Sequence, residues 1–202
     1  MRHIALIALT PILLTPLSAA DSWKPLFNGK DLSGWKHVGP GKFEVEGGML
    51  KTVGGMGLLV YEGEKFGNTT IRVVFKTSGG RDNSGVYIRM PEPAPDPWYG
   101  VHNGYEVQID ERGIDESGQP GSALHRTGAV YKLAPSTAMA SNPVGAWNHY
   151  VIKASGNTIS VRLNDMPVAE LPNGSRRKKG FIALQNHHLG SKVQFRNIRV
   201  RA

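Results

Sequence analysis

Turn-forming residues recur at such close intervals along this chain that they leave room for short strands and little room for helices. Gly47-Gly48 separates Phe43-Glu44-Val45-Glu46 from Met49-Leu50-Lys51-Thr52-Val53, a two-residue hairpin connection in which glycine supplies the positive φ angles. Gly156-Asn157 and Asn164-Asp165 divide three further runs, at 147–154, 158–163 and 166–171, into a meander. β-branched and aromatic residues dominate Thr70-Ile71-Arg72-Val73-Val74-Phe75-Lys76, which stops at Ser78-Gly79-Gly80. The 25 glycines and 13 prolines supply these breaks. About a dozen short strands at such spacing predict an all-β, two-layer antiparallel β-sandwich of the jelly-roll kind. One domain over residues 21–202 suits the length. Residues 91–100 carry four prolines and read as a loop, residues 127–133 read as a brief strand, and no amphipathic helix is predicted.

Residues 1–20 stand apart: Met1-Arg2-His3 is basic, 4–17 is mostly apolar, and Ser18-Ala19-Ala20 offers small residues before Asp21. This pattern predicts a cleavable signal peptide and a periplasmic or secreted protein. Pro11 and Pro16 interrupt a run already short for a bilayer, so no membrane anchor is expected in the mature form. The chain has no cysteine, which excludes disulfides and thiol catalysis. Its formal charge is +8, yet the only dense basic run, Arg176-Arg177-Lys178-Lys179, lies between turn-rich Pro172-Asn173-Gly174 and Gly180. That run reads as a solvated hairpin loop, and nucleic acid is not an expected partner.

Gly104-Tyr105-Glu106-Val107-Gln108-Ile109-Asp110-Glu111 reads as a strand with a working face. Side chains alternate across a strand, so Tyr105, Val107 and Ile109 point one way and Glu106, Gln108 and Asp110 the other. A carboxamide between two carboxylates can grip a small polar ligand, or it can be a merely solvated edge. In 83–90, alternation puts Tyr87 and Arg89 on one face; in the strand from Gly180, it puts Gln185 and His187 on one face if the strand continues that far. Trp98, at the end of the proline-rich loop, can stack on a sugar or pack beneath its own loop. The polar loop 112–127, with Asp115, Glu116, His125 and Arg126, has the length of loops that are functional or mobile.

Residues 26–35, Asn83-Ser84-Gly85-Val86-Tyr87-Ile88-Arg89, 104–110, Thr127-Gly128-Ala129-Val130-Tyr131, Trp147-Asn148, and 180–185 through Phe195-Arg196-Asn197-Ile198 occur in that order. Together they resemble the 3-keto-disaccharide hydrolase family over essentially the whole mature chain. The resemblance implies a concanavalin-like jelly roll, export in bacteria, and cleavage of glycosides already oxidised at C3 by a separate dehydrogenase. Carried onto this sequence, it implies site positions at Asn83, Arg89, Glu106, Gln108, Asp110, Tyr131, Gln185 and His187.

A ketone at C3 acidifies the proton on C2, so the C1 substituent can leave by elimination and water can add to the enone. This chemistry needs a base, an acid and a group that polarises the ketone. Glu106 or Asp110 is the expected base, His187 the acid and Arg89 the stabiliser of enolate charge. Asn83, Tyr87, Gln108, Tyr131, Gln185 and Trp98 are the expected substrate-binding residues. A divalent metal held by Glu106, Asp110 and His187 could replace Arg89, although these residues form no short metal signature. Two other readings stay open. In a conventional glycosidase Glu106 and Asp110 would be the carboxylate pair; i and i+4 on a flat strand lie about 13 Å apart, beyond the roughly 5 to 9.5 Å such pairs need, although strand curvature and side-chain reach can recover the inverting range. A non-catalytic carbohydrate-binding module would use Trp98, Tyr99, Tyr87 and Tyr131 for stacking. The crowding of ionisable groups favours the enzyme.

Overall fold

The computed structural model describes residues 22–92 and 96–201; the leader expected at 1–20 lies outside them. Strands β1 (Lys24–Pro25), β2 (Trp35–Val38), β3 (Lys42–Glu46), β4 (Met49–Val53), β5 (Gly57–Phe66), β6 (Thr69–Thr77) and β7 (Asn83–Met90) precede a short helix, α1 (Pro97–Asn103). Strands β8 (Tyr105–Asp110), β9 (Asn148–Ser155), β10 (Thr158–Leu163), β11 (Met166–Leu171), β12 (Gly180–Asn186) and β13 (Val193–Arg201) follow. They form two antiparallel sheets. The larger runs β11-β10-β9-β6-β13-β4-β3, with β1 paired to β13, and the smaller runs β2-β5-β12-β7-β8. The expected all-β sandwich is therefore the observed one.

The two sheets bury their faces differently. In β6 alone, Ile71, Val73 and Phe75 are buried while Arg72, Val74 and Lys76 are half-buried on the other side, as expected of a sheet covered on one face. Those inward residues meet Val86, Ile88, Tyr105, Val107, Ile109 and Leu184 of the smaller sheet in one apolar cluster, each fully buried side chain contributing about 1.5–3 kcal/mol. The smaller sheet is covered on its other face too, where Leu58, Tyr87, Met90 and Phe181 pack with Val101 of α1. Strands β7, β8 and β12 are accordingly buried at every position.

Three local expectations need correction. Helix α1 closes the proline-rich stretch that reads as a loop: the Asp96 carboxylate accepts from the Trp98 amide at 2.9 Å, and Pro97 occupies the first turn, where no amide is required. Residues 127–133 form no separate strand, only bridges from Val130 to Val107 and Ala134. Their backbone nevertheless follows β8, with the Thr127, Gly128 and Tyr131 amides donating to the carbonyls of Asp110, Gln108 and Glu106. Thus β8 ends the sheet, not at its centre, but without a bare edge. The third correction is a bulge in β7: its register against β12 shifts between Phe181 and Ala183, and Arg89 adopts φ 50°. Gly180 makes room for it, since a Cβ there would lie 2.3 Å from the Met90 carbonyl oxygen.

Tyr150 of β9 ties the sheets together by donating to the Gln108 carbonyl at 2.5 Å. Tyr150→Phe keeps the ring and removes that bond, so urea unfolding should show a loss of about 1 kcal/mol with the m-value unchanged. An unchanged midpoint would show that the bond adds nothing to stability.

Candidate active site

On the face of the smaller sheet turned away from the sandwich core lies a cavity of about 190 Å³. Its sheet residues are Asn83, Glu106, Gln108 and Gln185; α1 adds Trp98 and Val101, and the following loops add Arg112, Ile114, Asp115 and Tyr131. His187 and His188, just past the end of β12, complete the lining. Alternation brings Glu106 and Gln108 here because Tyr105, Val107 and Ile109 are claimed by the core.

Glu106 is 3% exposed and sits against Gly85, where a Cβ would lie 2.2 Å from its Oε1. Burial pushes its carboxyl up to about 8, against the pull of a hydrogen bond from Tyr87 and the charge of Arg176. Tyr87 in turn accepts from Gln185 Nε2 at 2.9 Å. The Gln108 amide is assigned with its nitrogen toward Glu106, because the reverse sets oxygen against oxygen. So placed, it donates to Glu106 Oε1 at 3.0 Å and to the Ser84 carbonyl at 3.3 Å. The carboxylate is thereby oriented by two neutral donors, while burial raises its protonation toward neutrality.

Asp110 does not line the cavity. It is wholly buried and accepts from Asn83 Nδ2 at 3.1 Å and from the amides of Arg112 and Ile114 at 3.0 and 3.3 Å. Its carboxylate shapes the loop that carries Arg112 and Ile114 into the lining. The second carboxylate of the cavity, Asp115, is likewise turned to its own loop, accepting from the amides of Ser117 and Gln119, both at 2.9 Å. A converging carboxylate pair is therefore not what the cavity presents.

The sequence expectation for Arg89 is overturned. The bulge takes it off the Tyr87 face, and its guanidinium donates to the Gly156 carbonyl at 2.8 Å and the Arg177 carbonyl at 3.3 Å. The cation that lines the cavity is Arg112, whose Nε lies 3.5 Å from Asp110 Oδ1. A second cation, Arg176, stands outside the lining and belongs to the run that reads as solvated; it turns inward to donate to the Val101 carbonyl at 3.1 Å and to the Gly104 carbonyl. Strand alternation, the signal used for the sheet residues, does not reach either loop.

His187 lies with Nδ1 3.0 Å from Nδ1 of His188. Burial, then the neighbouring imidazole, push it down to about 4, with Asp110 opposing. It is consequently a neutral imidazole at pH 7, so the acid expected of it from sequence enters as a neutral donor or acceptor. Tyr131, its ring edge-on to His125 at 5.0 Å, is held un-ionised by burial and by Glu106, up to about 12. Trp98 is 52% exposed at the rim, stacked on His102. Asn83 Oδ1 and Gln185 Oε1 are buried without a partner in the protein, two acceptors suited to ligand hydroxyls. Among the described residues no three His, Asp or Glu side chains gather to hold a metal ion; Glu106, Asp110 and His187 do not form the ligand set considered from sequence, because Asp110 is turned to backbone amides.

The family described as the 3-keto-alpha-glucoside-1,2-lyase-like domain matches residues 22–201. The chain belongs to this family. A 3-keto-disaccharide hydrolase of Bacteroides thetaiotaomicron is 26% identical over 237 residues, spanning 90% of this chain and 79% of that protein. A crystal structure from Parabacteroides distasonis ATCC 8503, described as a candidate glycosyl hydrolase, is 28% identical with a TM-score of 0.74, covering 90% of this chain and all of that one. The carbohydrate-binding module CBM66 of Bacillus subtilis shares the fold at 16% identity and a TM-score of 0.58, covering 84% of this chain and 96% of that one.

In this family member Gly85 reserves the space of the Glu106 carboxylate. Gly85→Ala should displace that group and lower turnover at least tenfold, about 1.4 kcal/mol in barrier, while circular dichroism shows an intact β fold. Retained turnover would mean that the carboxylate tolerates displacement.

Proposed function

We propose that this protein is an exported hydrolase of 3-keto-glycosides, and the observation that carries the reading is the buried Glu106, raised to about 8 beneath the cavity. A general base works best when its pKa lies near the working pH. Glu106 takes the proton from C2 of the 3-keto sugar, the C2 electrons form the C1–C2 double bond, and the C1–O bond breaks. The departing aglycone oxygen takes a proton from a cavity donor, for which the neutral His187 and Tyr131 are the available groups. Water then adds across the enone, hydroxyl to C1 and proton to C2, so that the net reaction is hydrolysis. Arg112, as the cation in the lining, stabilises the negative charge that grows on the C3 oxygen. The orphan oxygens of Asn83 and Gln185 accept from sugar hydroxyls, and Trp98 stacks on the aglycone side. Export rests on the leader pattern at 1–20; no helix of the described residues is long and apolar enough to cross a membrane.

A non-catalytic carbohydrate-binding role is the second reading, favoured by the shared fold with a binding module. It gives the raised Glu106 no task. The deciding assay sets a 3-keto-glucoside beside its unoxidised parent. Selective cleavage of the oxidised sugar supports the proposal, cleavage of both indicates a conventional glycosidase, and binding without turnover indicates a module.

Turnover should rise with pH through about 8 as Glu106 ionises, and Glu106→Gln should remove it by at least about a thousandfold. A flat profile from pH 6 to 9 would argue against this base.

Stability gives an independent readout. The folded value of about 8 lies above the ordinary 4.5. Burial of Glu106 therefore adds no ionisation cost below pH 4.5, and that cost grows as pH rises to 8. Glu106→Gln should melt increasingly above the wild type across that window, by at most about 1.4 kcal/mol per pH unit. A constant difference would mean that the carboxyl is not perturbed.

A further inference from the structure

We propose that the outer face of the larger sheet, on the opposite side of the sandwich from the cavity, is a binding surface for an acidic polysaccharide. Four adjacent strands, β10, β9, β6 and β13, carry seven Arg and Lys residues and no Asp or Glu. All seven lie on the side away from the core, where every one is half-buried or exposed. The register sets like charge against like: Arg72 is directly opposite Arg199, while Arg162 and Arg72 flank Val151 in the same row. Facing like charges destabilise a sheet pair. Among the described residues no ion pair involves Arg72, Lys76, Lys153, Arg196 or Arg199.

Tryptophan rings hold these cations without neutralising them. The Arg196 guanidinium lies 3.9 Å and the Lys76 ammonium 4.7 Å from the Trp147 ring centre, and Arg72 lies 5.0 Å from that of Trp23. Positive charge is thus fixed in position and left uncompensated, the arrangement expected of a surface completed by an anionic partner.

The same face contains a groove of about 350 Å³ lined in part by Arg72, Arg199, Trp147 and Asn197. Its carboxylate, Asp165, is engaged by His149 at 3.2 Å. Two guanidiniums beside an indole and an amide suit a single anionic sugar ring, the cations meeting carboxylate or sulfate and the indole meeting the ring. A phosphatidylglycerol bilayer presents no such ring to the groove, and the rest of the cationic row accommodates the polymer on either side of it.

The test is titration of the purified protein with polygalacturonate and dextran sulfate, beside neutral dextran, duplex DNA and phosphatidylglycerol vesicles, at about 0.15 M salt. The acidic polysaccharides should bind and neutral dextran should not, with affinity falling steeply as salt rises. Arg72→Gln with Arg199→Gln should weaken binding at least about tenfold. Lys153→Glu, at an exposed strand position where the core is not disturbed, should weaken it as well. Both variants should leave turnover at the distant cavity unchanged. Absence of binding, equal binding of neutral dextran, or indifference to both variants would overturn the proposal, as would tighter binding of DNA or of the vesicles.

Discussion

A carboxylate removed from water costs free energy unless something holds its charge, and the smaller sheet is arranged around keeping Glu106 in that condition. It reaches the cavity from a strand buried on both faces. Gly85 across the pair gives it room, Tyr87 and Gln108 orient it, and Arg176 moderates its burial from a distance. The ordinary remedy, a close ion pair, is missing: no ion pair among the described residues involves Glu106. That omission is what leaves the group protonating near neutrality, and a paired carboxylate would be a weak base.

Asp110, four residues along the same face, shows the alternative. It too is fully buried, but two backbone amides and Asn83 satisfy it. One strand therefore offers two carboxylates with different tasks, one facing the cavity and one fixing the loop that supplies Arg112. The two sheets divide labour in a similar way. The smaller, covered on both sides, provides a dry floor; the larger, covered on one, exposes a charged face to solvent.

Much of this was legible beforehand. The turn signals marked the hairpins, and period-two alternation assigned Glu106 and Gln108 to the face opposite Tyr105, Val107 and Ile109, because the pleat leaves no other choice. The same rule failed at Arg89, since one inserted residue reverses every side chain beyond it. Helix α1 was missed although Asp96-Pro97 is a start signal, its seven residues being too few to show a period. Arg112 and Arg176 lie in loops, where direction follows from contacts distant in sequence.

The amino-acid order by itself determined the class of fold, the strands and which side of β8 is polar, because these follow from local sterics and from the period of the strand. The tertiary structure alone decided which polar groups keep their charge. That depends on burial, on partners brought from β7, β12 and the loops, and on a bulge that removes Arg89 from the cavity and leaves Arg112 there. Ionisation is a property of surroundings, and the surroundings of Glu106 draw on residues about twenty positions away on one side and seventy on the other.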